Sequence, residues 1–304
     1  MIILTHVGIN LPEYLEHFLS QLRKFNPSRK IVFLVNNNNL NNQIFINNNV
    51  LTYPIEDLEP KDLNSFISKF GYGNLDSNNK YIIYASNDYW CVTATRLFYL
   101  NEYCKKFNIN NYFHFENDIM IYENIDLIES IINENKLYKN KIAITRGTNN
   151  KIMTGFMYVD NNDVLSDVLE KFVDYLNTRQ ELFKYGIDMV NEMGLLHIYQ
   201  TKNPDNMVSL PLLPEMYFND FFEKFNSVFD PATYGQFLDG TPFEPGVSII
   251  TDSYVGDYIK KNPNTSIKFI KLNDLRIPFL SVGEELYKIN NLHIHSKRLH
   301  LFLS

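Results

Sequence analysis

The chain carries only 2 cysteines and 1 tryptophan in 304 residues, and it has no dense block of positive charge. Each scarcity excludes something. Cys91 and Cys104 have neither metal-site nor redox-pair spacing, so no cysteine-bound metal and no disulfide framework are expected. They read as small buried hydrophobes in a reducing compartment, which makes a cytoplasmic location the expectation. No apolar run reaches the ~18 residues of a spanning helix, so no membrane span is expected. The start, Met1-Ile2-Ile3-Leu4-Thr5-His6, has no basic region and no small-residue cleavage site and does not read as a signal peptide. One glycosylation triplet, Asn264-Thr265-Ser266, gives no support for secretion. The formal net charge is -7 and the pI about 5.5. Nucleic-acid affinity rests on neutralising phosphates, so nucleic acid is not an expected partner. Also missing are a Gly-rich phosphate loop ending in Lys-Ser/Thr, a dinucleotide fingerprint, a Gly-x-Ser-x-Gly elbow and a His-Glu-x-x-His helix.

What is present is an ordinary globular composition, 45% apolar, with 23 Phe and 20 Tyr. Asn reaches 40. A bias toward Asn, Lys, Ile, Tyr and Phe is what A/T-rich codons produce, and it points to a viral or A/T-rich microbial origin. The Asn-rich stretch 36–49 is accordingly read as a wet surface loop without function.

The first half alternates between period-2 and period-3.6 patterns. Strands are expected at Met1–His6, Ile31–Val35, Leu51–Ile55, Tyr112–Phe115, Ile119–Tyr122, Lys141–Arg146 and Thr154–Asp160, with a strand or helix edge at Tyr81–Ala85. Helices are expected at Leu11–Phe25, Pro60–Phe70, Ala94–Phe107, Ile125–Asn135 and Val164–Asn177. This alternation implies an α/β domain with a largely parallel sheet. From Pro204 on, Pro and Gly break the chain into short elements, with a structured loop or short helix in Phe229–Gly246 and strands at Ile267–Leu272 and Leu292–His295. Neither a repeat nor a linker is seen, so residues 1–304 read as a single domain whose second half supplies a site-forming lobe.

The sharpest chemical feature is Phe113-His114-Phe115-Glu116-Asn117-Asp118-Ile119-Met120-Ile121-Tyr122. An apolar strand stops at two acids two residues apart and resumes. On extended backbone Glu116 and Asp118 project to the same side. In an open α/β sheet that side faces the crevice beyond the strand ends, where ligands bind. Two converging carboxylates repel unless a cation sits between them, and oxygen ligands suit Mg2+ or Mn2+. The C-terminal run His293-Ile294-His295-Ser296-Lys297-Arg298 offers two imidazoles on one strand face and two cations for phosphates. Three further segments are candidates. Gly186-Ile187-Asp188 opens a helix whose first turn holds an acid. Gly155 lets backbone approach a ligand closely. The stretch 229–242 is rich in amide, hydroxyl and carboxylate groups suited to a sugar.

The order of these segments resembles the GT-A glycosyltransferases, in particular the glycogenin, galactinol synthase and lipopolysaccharide glycosyltransferase group. An N-terminal strand leads into Thr5-His6-Val7-Gly8, a helix carrying Arg96 precedes Glu116-Asn117-Asp118, and Met153-Thr154-Gly155-Phe156-Met157 follows. Then come Asp188, Asn191, Leu213-Pro214 and Tyr217-Phe218-Asn219, and the chain closes on His293-Ile294-His295-Ser296-Lys297. Glu stands where the family's acidic motif usually begins with Asp, and the terminal His–Lys spacing is shorter than usual, which leaves open whether His293 or His295 is the ligand.

The resemblance implies a Rossmann-like, mostly parallel sheet flanked by helices, with a nucleotide-binding half over 1–122 and a sugar- and acceptor-binding half over 123–304. It implies transfer of a hexose from a UDP-sugar to an acceptor hydroxyl on a glycan, protein or lipid, with Mn2+ or Mg2+ as cofactor. Glu116, Asp118 and His293 or His295 would hold the metal. Thr5, His6, Val7, Gly8, Arg96, Glu116, Asn117, Gly155, Gln236 and Ser296 would contact the donor. Lys297 would stabilise the departing UDP, and Asp188 would touch the sugar. Asp188, Asp239 and Asp252 are the candidates for a base, should the enzyme invert; the resemblance leans toward retention. The competing readings are a metal-dependent nucleotidyltransferase or phosphohydrolase, and a silent nucleotide-sugar binder. The oligomeric state is open, a homodimer included.

Overall fold

The computed structural model describes residues 1–70, 88–178, 180–187, 190–214 and 221–304. The element expected at Tyr81–Ala85, together with Asp188 and Tyr217-Phe218-Asn219, lies outside them. In chain order the first half runs β1 (Ile2–Thr5), α1 (Leu15–Phe25), β2 (Ile31–Val35), α2 (Gln43–Asn47), β3 (Leu51–Pro54), α3 (Leu63–Phe70), α4 (Asp88–Lys106), β4 (Tyr112–Phe115) and β5 (Ile119–Ile121). It continues with α5 (Ile125–Glu134), β6 (Ile142–Thr148), β7 (Lys151–Val159) and α6 (Asn162–Asn177). The remainder is α7 (Gln180–Lys184), α8 (Glu192–Lys202), β8 (Met207–Ser209), α9 (Phe222–Phe225), β9 (Ser227–Val228), α10 (Tyr234–Asp239) and α11 (Tyr254–Lys261). Strands β10 (Thr265–Leu272), β11 (Leu275–Val282), β12 (Glu285–Ile289) and β13 (Asn291–His293) close the chain.

The architecture is mixed α/β, as the alternating pattern implies. Seven strands form one sheet in the order β3-β2-β1-β4-β7-β6-β8. Neighbours pair in parallel except around β7, which runs antiparallel to both β4 and β6. Helices cover both faces, which is why the central strands read as unbroken apolar runs. Ile2 and Leu4 of β1 face one apolar layer, built with Leu15, Phe18, Leu19 and Leu22 of α1. Ile3 faces the other, built with helices α3, α4, α6 and α8. The first layer also takes in Val228, Leu280, Ile289 and Leu292 from the C-terminal elements. Among the described residues, no helix is long and apolar enough to cross a membrane.

Two sequence readings change. The stretch 36–49 is not irregular throughout: Asn37–Asn39 form a 3-10 turn and Gln43–Asn47 a helix. Nor is Asn mere background. Asn42, Asn124, Asn161 and Asn191 each cap a helix N-terminus through the side-chain oxygen. Asn49, Asn108, Asn111, Asn140, Asn226 and Asn273 take positive φ at turns, where Asn is the tolerated non-glycine residue. The sequence also missed β11 and β12, which with β10 and β9 make a second sheet in the order β10-β11-β12-β9. Strand β13 instead pairs antiparallel with β5, His293 opposite Ile119 and Asn291 opposite Ile121.

Helix α10 presses directly on β13. A Cβ on Gly235 would stand 1.9 Å from the His293 carbonyl oxygen, a distance no side chain tolerates. Gly235→Ala is therefore expected to cost about 1–3 kcal/mol through overpacking, read as a lower urea midpoint at unchanged slope. An unchanged midpoint would mean that the helix does not seat on β13.

Candidate active site

Strand β4 lies at the centre of the large sheet, and its parallel partner β1 and antiparallel partner β7 both reach Phe115. Beyond Phe115 the chain does not stay extended. The Glu116 N–H donates to the Gly155 carbonyl at 3.1 Å, and the Ile119 N–H to the Glu116 carbonyl at 3.4 Å. The acids thus flank a turn that carries the chain from the large sheet into the β5–β13 ribbon, and the extended i, i+2 geometry expected from the sequence does not hold. They converge nonetheless. One carboxylate oxygen from each and one His293 ring nitrogen all lie within 4.8 Å of one another.

Each acid has its own cation. Glu116 Oε1 accepts from Arg96 Nη2 at 3.0 Å and from Thr154 Oγ1 at 2.5 Å. Asp118 Oδ2 accepts from His293 Nε2 at 3.1 Å and from the Lys297 ammonium. His293 Nε2 also lies 3.6 Å from Glu116 Oε2. Asp118 is 4% exposed. Burial opposes ionisation there, yet His293 and Lys297 hold Asp118 well below the usual carboxylate range. At Glu116 burial likewise opposes ionisation, and Arg96 and His293 pull the carboxyl below its ordinary value. The same ion pairs, working against burial, raise His293 and Lys297. Arg96 is itself held in place: its Nε donates to the Thr93 carbonyl.

The two C-terminal histidines differ. His293 sits in the acid cluster. His295, expected as an equal candidate for the metal, turns to Gln236, whose amide meets its Nδ1 at 2.8 Å. Burial and the neighbouring His293 push His295 down to about 3, so it stays neutral. The β5–β13 ribbon ends at His293, and the His295 ring packs edge-on to the His293 ring, centroids 4.2 Å apart, with its Nδ1 on Gln236.

Several of the expected donor contacts are engaged within the protein. Gly155 makes room for His293, since a Cβ there would lie 3.0 Å from its Nδ1. Gln236 is engaged with His295. Ser296 Oγ donates to Asp239 Oδ2, and Arg298 grips the same carboxylate, Nε at 3.0 Å. Asp239, an expected base candidate, is thus a buried latch for the segment carrying Lys297. Asp252 has a 99% exposed side chain and pairs with Lys260 Nζ at 2.8 Å. Lys297 itself has φ +64, a left-handed conformation unusual for a long side chain.

The β1 loop reaches the cluster through Asn117, whose Nδ2 lies 3.4 Å from His6 Nδ1 and whose Oδ1 accepts from Tyr14 at 3.3 Å. The loop is held from outside by the Asn run. Gly8 N–H donates to Asn36 Oδ1 at 2.8 Å, and Asn38 and Asn39 donate to the Ile9 carbonyl at 2.9 and 3.0 Å. Asn36–Asn39 is therefore a clamp on the loop 5–9, which corrects the reading of a functionless surface stretch. Thr5 is buried and Val7 packs on the second apolar layer.

Sequence reading missed Asp230, Glu192, Tyr14 and Tyr89. Asp230 accepts backbone N–H bonds from Thr233 (2.7 Å), Tyr234 (2.8 Å), Gly235 (3.0 Å) and His293 (2.8 Å), tying α10 to β13. Asp-Pro-Ala-Thr ahead of a short helix is a capping signature that could have revealed it. Tyr14 and Tyr89 stand near the cluster, and the Lys297 ammonium lies 5.7 Å from the Tyr14 ring centre.

No protein-family model matches the sequence, and no curated protein matches it. Among solved structures it is similar to mouse xyloside xylosyltransferase 1 in its apo form, at 13% identity over 69% of this chain and 84% of that one, TM-score 0.47. It is similar to the galactosyltransferase LgtC in complex with donor and acceptor sugar analogues, at 10% identity over 69% and 73%, TM-score 0.38. A cytidylyltransferase from Leptospira borgpetersenii overlaps at 12% identity over 88% and 98%, TM-score 0.36. All three scores lie below 0.5, and the site rests on the chain's own residues.

Glu192 is 3% exposed and accepts from Thr93 Oγ1 at 2.7 Å. Burial raises its carboxyl to about 7, against the pull of Arg96. Between the ordinary carboxylate value and 7 the folded state holds a proton that the unfolded state has released. Stability from this group is therefore complete below about pH 4.5 and lost as pH rises through 7, by up to about 3 kcal/mol. Melting temperatures of wild type and Glu192→Gln from pH 5 to 8.5 check this: the wild type should fall relative to the variant across the window, and parallel curves would refute it.

Proposed function

We propose that this chain is a metal-dependent glycosyltransferase that moves a hexose from a UDP-sugar to an acceptor hydroxyl. The observation that carries the reading is the convergence of Glu116, Asp118 and His293, with Lys297 on Asp118, where the central strand of a mostly parallel sheet ends.

A divalent cation fits these residues. The two carboxylates and one imidazole come from two separate segments and are already gathered. Asp118 and His293 are buried, and the ring nitrogen that faces both acids is Nε2, at 3.1 Å from Asp118 and 3.6 Å from Glu116; among the described residues Nδ1 has no hydrogen-bond partner. Oxygen ligands with one imidazole suit Mn2+, and Mg2+ less well. Glu116, Asp118 and His293 would hold the ion, which when bound neutralises charge developing on a departing diphosphate.

The rest is done by the chain. Lys297 binds a diphosphate oxygen at the mouth of the cluster. Arg96 was expected to contact the donor; its contact with Glu116 supports a different role, fixing that carboxylate. The loop Thr5-His6-Val7-Gly8, clamped by Asn36 and joined to Asn117, receives the nucleoside. Asp188 touches the sugar. Retention at the anomeric carbon is our reading: among the described residues, Glu116, Asp118, Asp230 and Asp239 are each engaged by a cation or backbone N–H groups, and Asp252 is paired with Lys260. Inversion would need a base, for which Asp188, outside the described residues, is the candidate.

With Mn2+, a panel of UDP-sugars should yield one that the protein slowly hydrolyses to UDP. Asp118→Asn should cut that release by about 100-fold or more. Turnover of nucleoside triphosphates instead would favour a nucleotidyltransferase or phosphohydrolase, and UDP binding indifferent to EDTA in both proteins would favour a silent binder.

A further inference from the structure

The cluster holds two carboxylates and two permanent cations. Arg96 faces Glu116 at 3.0 Å, and Lys297 faces Asp118. The fixed charges therefore already cancel, and the strongest reason for a lone divalent cation to enter, uncompensated negative charge, is absent. Asp118 Oδ2 is moreover the atom that Lys297 occupies. An ion bound there would sit against an ammonium group in a low-dielectric site, where like charges repel strongly.

The two cations are not equally fixed. Arg96 has a 14% exposed side chain, a planar fork on Glu116 and a second bond to the Thr93 carbonyl. Lys297 has a 35% exposed side chain on a flexible four-carbon stem and lies beside the Tyr14 ring. Its backbone is pinned on both sides, because Ser296 and Arg298 are latched to Asp239. That latch keeps Lys297 at φ +64, a conformation the residue would not adopt unaided. The backbone is thus latched, while the side chain is the more exposed partner of the ion pair.

We propose that Lys297 is a tethered counter-ion. It neutralises Asp118 in the ligand-free protein and gives up that carboxylate to a divalent cation only when a nucleoside diphosphate arrives to take its ammonium. Metal and diphosphate then bind as a pair, each raising the affinity for the other by the same factor. This rests on the donor-site reading above and adds the order of events at that site.

The test follows free Mn2+ by its electron paramagnetic resonance signal at fixed pH, with and without UDP, for wild type, Lys297→Met and Lys297→Arg. Wild type should take up Mn2+ weakly alone and at least tenfold more tightly with UDP. Lys297→Met should bind Mn2+ alone at least tenfold more tightly than wild type, with a smaller further gain from UDP than wild type shows, because only the direct attraction of metal and diphosphate remains. Lys297→Arg should keep the wild-type pattern. A misfolded variant would weaken both affinities, so tighter metal binding with reduced coupling is not a folding artefact. Wild type that binds Mn2+ equally well with and without UDP overturns the proposal, as does a Met variant that binds it no more tightly. If no Mn2+ is taken up under any condition, the metal reading of the site falls and the counter-ion role falls with it.

Discussion

The buried Asp118 carboxylate is the constraint on which the rest of the site depends. A carboxylate at 4% exposure is tolerated only if it is paired and hydrogen-bonded. Its partners, His293 and Lys297, lie 175 and 179 residues away in sequence. The fold must therefore return the C-terminal segment to the middle of the large sheet. The β5–β13 ribbon does this, and the Ile294 N–H donates to the Asp118 carbonyl at 2.9 Å, so backbone and side chain of Asp118 are tied to the same segment.

That return is held by acids that do no chemistry in this account. Asp230 gathers four backbone N–H groups and joins α10 to β13; Asp239 latches Ser296 and Arg298. Gly235 and Gly155 supply the close approaches on either side of His293. On the other flank the Asn36–Asn39 clamp fixes the β1 loop against Asn117. The charged cluster is thus surrounded by groups bonded within the protein, and Lys297 stands out among its charged members for its partial exposure.

Much of the large sheet was legible because its strands are covered on both faces. Ile31–Val35 appears as an uninterrupted apolar run, and Tyr112–Phe115 as one broken only by His114, both with the bounds the structure gives. The acid pair was legible for the same reason, as a polar break within such a run. The second sheet was legible only in part. Strand β10 is expected as Ile267–Leu272, but β11 contains Pro278 and β12 mixes Glu285 and Lys288 with apolar residues on a half-exposed face, so neither of these stands out. The turn between Glu116 and Asp118 was hidden too, because what sets it is the Glu116 N–H bond to Gly155, a tertiary contact. The distinction between His293 and His295 depends likewise on Gln236, 59 residues upstream. Asn misled most, since a codon bias and a structural demand for caps, clamps and positive-φ turns look alike in composition.

On the reading proposed above, Glu116, Asp118 and His293 together hold a divalent cation and a diphosphate. Anomalous diffraction at the manganese edge from crystals grown with Mn2+ and UDP tests this. A peak is expected within ligand distance of those three side chains, with the Lys297 ammonium moved from Asp118 to a diphosphate oxygen. A peak elsewhere, or UDP bound with Lys297 still on Asp118 and no metal between the acids, would contradict it.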